Sequence, residues 1–367
     1  MTFTWGLGEG LFIYFYPLAL QRWEIDPVQI GAVLSLLGAS MALVQAPAGY
    51  LSDRLGARLL IRASCILGVI AAVVMAVANS LPFFIVGLIL YSITSFIEAP
   101  MNSYVTAMRG GWSAQRGMTF VSGSFVTGSI VGPVLGGWIG QTAGLATVFL
   151  YSAGLFAIAT GIVFFARRPA TRQEIHEKGA PGIKPLANPR FIGMLVIIFF
   201  TIVAISTPQQ LTSVYLQEVH HLSLQQIGLT GTFAGIGTAG ILFILGNMRP
   251  PVGMITGQGI IGLFCLCMLL GQSEVVFYAG YLFIGGYRLY RSMAMAAVQP
   301  LVGGSDLGLA YGLVNTGNAL AVILAPLAAG FLYGYRPESV YWASLVVLGV
   351  TIFCTVFWMR QNRAAGH

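Results

Sequence analysis

The chain has 367 residues, 57% of them hydrophobic and only 8% charged, with a mean hydropathy of +0.83. Soluble domains carry about 25% charged residues, so this composition excludes a water-exposed globular surface and points to a polytopic membrane protein. The net charge of +7 would suggest a nucleic-acid partner in a soluble protein. Here the basic residues gather in loops on one side of the apolar segments, which accounts for the charge without such a partner.

A span needs roughly 20 apolar residues, and twelve segments meet that need. They run 3–20, 27–51, 58–79, 81–107, 116–140, 145–166, 190–216, 224–246, 252–271, 274–300, 307–333 and 339–359. The first lacks a basic leader and reads as a span rather than a cleaved signal peptide. It carries Glu9, with Trp5 and Tyr16 near the same face. The second ends in "GYLSDRLGAR", a tight basic turn with Gly49 and Gly56 at its two ends. The fourth holds "SFIEAP", where helical spacing would put Tyr91, Thr94, Ser95, Glu98 and Asn102 on one face. The fifth reads "GSIVGPVLGG": Gly128, Gly132 and Gly136 recur every four residues and invite close helix packing, Pro133 adds a bend, and Gly137 follows. The seventh supplies Gln209 and Gln210 beside Pro208, and the tenth Tyr281, Arg288 and Arg291. Cys65, Cys265, Cys267 and Cys354 all lie in spans and read as packing residues. No metal, cofactor, nucleotide loop or catalytic constellation is expected, so the chain does not read as an enzyme.

The longest connection, "RRPATRQEIHEKGAPGIKP", separates six spans from six. It divides the chain into bundles 1–167 and 190–367 joined by a linker, 168–189. Of the Lys and Arg residues outside the spans, only Arg22 and Arg336 fall on the side opposite this linker. The positive-inside rule then places both termini and the linker in the cytoplasm, with the chain in the plasma membrane. The halves also repeat. "QIG" at 29–31 recurs at 226–228, and Pro133 and Gly137 recur as Pro326 and Gly330. Parallel duplication of this kind builds secondary transporters.

Gly49-x3-Asp53-Arg54-x-Gly56-x-Arg58 resembles the cytoplasmic signature of the major facilitator superfamily, and the spans, repeat and linker extend the resemblance to the whole chain. It implies an all-α integral membrane fold of twelve helices in two pseudo-symmetric six-helix bundles. It also implies that Asp53 locks the halves on the cytoplasmic side, with Arg54 and Arg58 as partners. Pro250 and Pro251 replace the corresponding acid and base in the second half, so the lock would be one-sided. The span-five sequence resembles the glycine-rich motif of the family's proton-coupled exporters. Those exporters also carry an arginine in span four, where this chain has Leu88, a departure from their standard exchange mechanism.

In this family spans one, four, seven and ten line the central cavity. Glu9, Glu98, Arg288 and Arg291, the charges within spans, all fall on them. Charges at that depth cost roughly 2.5–3.5 kcal/mol each, so they are expected to face a polar interior or one another. Two roles are open to each acid: carrying a proton or a cationic substrate group, or balancing an arginine. The expected cavity set is Glu9, Tyr16, Tyr91, Glu98, Asn102, Gln209, Gln210, Tyr281, Arg288 and Arg291. The expected function is alternating-access transport of a small organic solute by a monomer, coupled to protons through Glu98, with Glu9 as a second carrier. Efflux of amphiphilic compounds by antiport leads, and uptake of an anionic or zwitterionic metabolite is the alternative.

Overall fold

The computed structural model describes residues 1–108, 111, 113–165, 188–302 and 307–364, with the backbone course alone at 46, 48–50, 52–53, 99, 114–115, 307–308 and 361–364. Every long element among them is an α-helix, because a helix satisfies its backbone groups internally and lipid offers no partners. The first span is α1 (Thr2–Phe12) and α2 (Tyr16–Gln21), followed by α3 (Pro27–Leu55) and α4 (Ala57–Val77). The fourth is α5 (Leu81–Ile93) and α6 (Glu98–Met108), then come α7 (Ala114–Ala143) and α8 (Leu145–Phe164). The second half has α9 (Pro189–Glu218), α10 (Leu224–Leu245), α11 (Pro250–Leu270), α12 (Glu274–Leu282) with α13 (Gly286–Val298), α14 (Leu307–Tyr335) and α15 (Ser339–Ala364).

Among the described residues, ten stretches are long and apolar enough to cross a membrane. The first and tenth spans complete the expected twelve; each is interrupted. Pro17 at the start of α2 cannot donate to the preceding turn, and residues 13–15 form a break between α1 and α2. A 3-10 turn at Phe283–Gly285 interrupts the tenth. The expected linker 168–189 lies outside the described residues apart from Asn188 and Pro189. Asn188 caps α9, accepting from the Arg190 N–H at 3.0 Å, and donates to the Leu301 carbonyl at 2.9 Å.

The chain forms two compact units: Met1–Ile25, Leu36–His176 and Leu216–Thr232 make the first, and Asp26–Ser35, Glu177–Tyr215 and Phe233–His367 the second. They differ from the halves read in the sequence by one exchange, residues 26–35 grouping with the second unit and 216–232 with the first. The repeated "QIG" explains the exchange. Gln29 closes a capping box on Asp26, with backbone-to-side-chain bonds of 2.8 and 3.1 Å, and starts α3. Gln226 does the same with Ser223 at the start of α10, at 2.7 and 3.2 Å. The glycine two positions on then meets the repeated Pro-x3-Gly. In the second unit a Cβ on Gly31 would stand 2.4 Å from the Pro326 carbonyl oxygen. In the first, a Cβ on Gly228 would stand 2.2 Å from that of Pro133. Two copies of one sequence device thus pair crosswise with two copies of another.

Gly31→Ala and Gly228→Ala are each expected to cost about 1–3 kcal/mol through overpacking, and to add in the double variant because the crossings share no partner. Thermal unfolding of the full-length protein in detergent checks this. Gly240→Ala on α10, with nothing within 4 Å of an added Cβ, should show no loss.

Candidate functional site

The site begins with the placement of α1. Its glycine face lies on the span-five glycines: Cβ atoms on Gly128, Gly132 and Gly136 would come within 2.2, 2.6 and 1.9 Å of α1 backbone. Gly6 and Gly10 reciprocate, at 2.2 Å from the Phe125 carbonyl oxygen and 3.0 Å from Gly132. Pro133 and Gly137 turn instead to α10, so the fifth span holds two helices with two faces of one motif.

Packed this way, α1 brings Glu9 to Tyr91 of α5. Tyr91 and Tyr16 both lie within electrostatic reach of the Glu9 carboxyl group, and the Trp5 indole adjoins the Tyr91 hydroxyl. Aromatic rings pack around this group. Trp5 stacks on Phe156 at 4.3 Å, Tyr91 stacks on Phe156 at 5.9 Å, and Phe12 meets Tyr91 edge-on at 4.9 Å. Phe149 backs Phe12 at 5.6 Å. Gly68 of α4 makes room for the Trp5 ring, whose tip would be 2.3 Å from an added Cβ. Glu9 is half-buried within its span. A carboxylate can only accept hydrogen bonds, whereas a protonated carboxyl can also donate, so a change of protonation at Glu9 alters what it offers the phenols beside it.

Glu98 occupies a different environment. Pro100 lacks an N–H and its ring would clash with the Phe96 carbonyl in a continuous α-helix. The chain responds with a 3-10 turn at Thr94–Ile97, in which the Glu98 N–H bonds Ser95 rather than Thr94. Four residues at 3.0 per turn instead of 3.6 rotate the downstream helix α6 by about 80°. The single face from Tyr91 to Asn102 expected in the sequence is therefore broken: Thr94 is buried, whereas Glu98 and Asn102 are exposed. The Thr94 carbonyl, part of this turn, also accepts from the Ser64 hydroxyl of α4 at 2.9 Å.

Gln209 and Gln210 fold back onto α9, donating to the carbonyls of Ile205 and Ser206 at 2.9 and 3.2 Å. Thr207 and Thr212 do likewise, so the polar residues around Pro208 serve the helix that the proline disturbs. Tyr281 is buried edge-on against Phe264 at 5.7 Å. Arg288 and Arg291 share the exposed face of α13, opposite buried Leu289, Tyr290 and Met293.

Of the expected cytoplasmic gate, Gly49 and Asp53 are described by their backbone course alone, within α3. Gly56 takes φ +85° between α3 and α4, the left-handed turn the sequence called for. Arg54 is exposed in the last turn of α3. Arg58, read as a partner of Asp53, reaches the Phe164 carbonyl at 3.4 Å. Arg62 bonds the same oxygen at 2.7 Å and lies 4.6 Å over the Phe164 ring. Two guanidinium groups thus meet the negative end of the α8 dipole.

Two features escaped the sequence reading. Phe149 and Phe156, seven apart on α8, looked like any apolar span residues. Gln258, wholly buried in α11, donates to Thr201 of α9 and Thr351 of α15 at 3.1 and 3.2 Å. A lone glutamine in an apolar span was the available signal.

The Major Facilitator Superfamily profile matches residues 1–285 and 247–367. The chain belongs to this superfamily. Multidrug resistance protein 1 of Bacillus subtilis (strain 168) is 19% identical over 362 residues, covering 96% of this chain and 92% of the relative. The class E tetracycline resistance protein of Escherichia coli is 24% identical, covering 92% and 87%. Quinolone resistance protein NorA of Staphylococcus aureus (strain MSSA476) is 22% identical, covering 98% and 94%. Among solved structures, the nucleoside transporter NupG superposes with a TM-score of 0.77 at 14% identity, covering 98% of this chain and 96% of that one. A bacterial homolog to the human lysosomal transporter Spinster gives 0.74 at 15% identity, covering 98% and 95%. The superfamily member described here is a multi-pass membrane transporter with a small-molecule substrate.

Ser64→Ala would remove one buried hydrogen bond to the Thr94 carbonyl, which keeps its partner within the 3-10 turn. A loss of about 1 kcal/mol is expected, read as a lower unfolding temperature. Ser64→Thr, which keeps the hydroxyl, should lose less.

Proposed function

We propose that the protein exports amphiphilic compounds by proton-coupled alternating access, with Glu9 as the proton-carrying group. The observation that supports this reading most is the Glu9 carboxyl, beside Tyr91 and Tyr16 within an aromatic surround, on a helix fixed by the span-five glycines. A carboxyl group is expensive inside a span and is retained there for a function. Aromatic faces beside it suit the apolar and cationic parts of an amphiphile. The multidrug, tetracycline and quinolone resistance relatives favour export. In this reading bundles 1–167 and 190–367 rock about the membrane centre as a monomer. The termini lie in the cytoplasm and Asp53 belongs to the cytoplasmic lock. Glu98, exposed beyond the helix break, takes a lesser part in coupling than Glu9.

Uptake of an anionic or zwitterionic metabolite is the second reading. The exposed pair Arg288 and Arg291 favours it, since two guanidiniums on one face suit a carboxylate or phosphate.

Proteoliposomes loaded with a pH-sensitive dye separate these readings. Tetracycline or a quinolone should drive proton flux in the native protein. Glu9→Gln should abolish the coupling, Tyr91→Phe should lower it about tenfold, the effect of one charge-assisted hydrogen bond, and Glu98→Gln should leave most of it. Coupling intact in Glu9→Gln would overturn the assignment. Flux driven only by a nucleoside or another anionic metabolite, and lost in Arg288→Gln, would favour uptake.

A further inference from the structure

A cavity of about 310 Å³ opens at the end of the first unit remote from Arg58 and Arg62. The ends of α2, α4, α5 and α8 meet there, with Arg22 and Trp23 on one side and Met75, Ala76, Phe84 and Phe149 on the others. Nothing in the transport reading above uses it.

Four observations bear on what it takes. Arg22 is exposed, and among the described residues no hydrogen bond or ion pair engages its guanidinium. The acid Glu218 takes the Gln21 amide at 2.6 Å, and Glu24 is exposed in the turn that follows Arg22. Val77, between two alanines of the wall, is 60% exposed, so the mouth adjoins apolar surface. The volume sits at the lower end of the roughly 300–1,000 Å³ typical of small-molecule pockets, enough for a head group and its first carbons but not for a whole lipid. A free cation, an interfacial tryptophan and adjoining apolar surface together define a ligand with an anionic head and an apolar tail.

We propose that this cavity binds the anionic head group of an amphiphile, a phosphate-bearing lipid or single-chain compound, on Arg22, with the tail over Val77. The back wall is shared with the Glu9 surround. Phe84 packs on Phe149 at 5.5 Å, and Phe149 on Phe12, which touches Tyr91. A bound head group therefore presses on the same rings that enclose the proton-carrying carboxyl.

The test uses the purified full-length protein in a neutral detergent. Saturable binding is read by native mass spectrometry and by thermal shift. The probes are dioleoyl phosphatidylglycerol, dodecyl phosphate and, as a neutral-headed control, dodecanol. Both anionic probes, or one of them, should bind and the control should not. Arg22→Gln should weaken the anionic probe about tenfold, the loss of one charge-assisted pair, and Arg22→Lys less. Ala76→Phe should fill the cavity and block binding. Phosphatidylglycerol binding identifies the bilayer as the source, and binding of dodecyl phosphate alone identifies a single-chain solute. The proposal is overturned if neither anionic probe saturates, if the neutral control binds equally, or if Arg22→Gln binds as the native protein does. Arg22 is a surface side chain, so that variant folds even if Ala76→Phe does not.

Discussion

Backbone lies on backbone where α1 crosses α7, and the rest of the first unit is arranged around that crossing. In lipid no hydrophobic force drives helices together, so association rests on close van der Waals approach. Glycine on both helices supplies it: Gly6 and Gly10 on one side, Gly128, Gly132 and Gly136 on the other. The crossing fixes both the rotation and the height of α1. Trp5, Glu9 and Phe12 are thereby delivered to α4, α5 and α8, where a side chain of any size on the glycine face would have held them away.

The crossing was legible in the sequence because a four-residue glycine period survives any background of apolar residues. The crosswise exchange of segments was half legible. The repeated "QIG" and Pro-x3-Gly stood out, but not that each meets the other, since spacing along a chain carries no record of partner helices. Glu98 shows a different limit. A face drawn at helical spacing assumes an unbroken helix, and Pro100, plainly visible in the sequence, breaks it upstream of itself. Arg58 had a family role assigned by motif, whereas the Phe164 carbonyl that it meets lies 106 residues away. The aromatic surround was hidden because phenylalanines facing protein and phenylalanines facing lipid are the same in an apolar span.

The two units share ancestry but not chemistry. The first encloses a titratable carboxyl with aromatic rings. The second buries neutral groups: Gln258 bonded to Thr201 and Thr351, and Tyr341 donating to Thr212 at 3.2 Å. Neutral hydrogen bonds of this kind tie α9, α11 and α15 together without responding to pH. Its arginines Arg288 and Arg291 stand instead on the exposed face of α13. Duplication supplied a common frame, and the charged positions diverged within it.

Helix α4 links features that were described one at a time. Along its 21 residues, Arg58 and Arg62 hold the end of α8, Ser64 holds a carbonyl of the 3-10 turn in the fourth span, Gly68 seats the Trp5 ring, and Met75 closes the far cavity. At 1.5 Å per residue this is a rod of about 30 Å. It has no proline within it and glycine only where the ring sits. Such a rod cannot yield at one station without moving the others. A tug on the chain where it leaves α8 is therefore felt at the helix break, at the tryptophan beside Glu9 and at the opposite membrane surface, making α4 the pushrod of its unit.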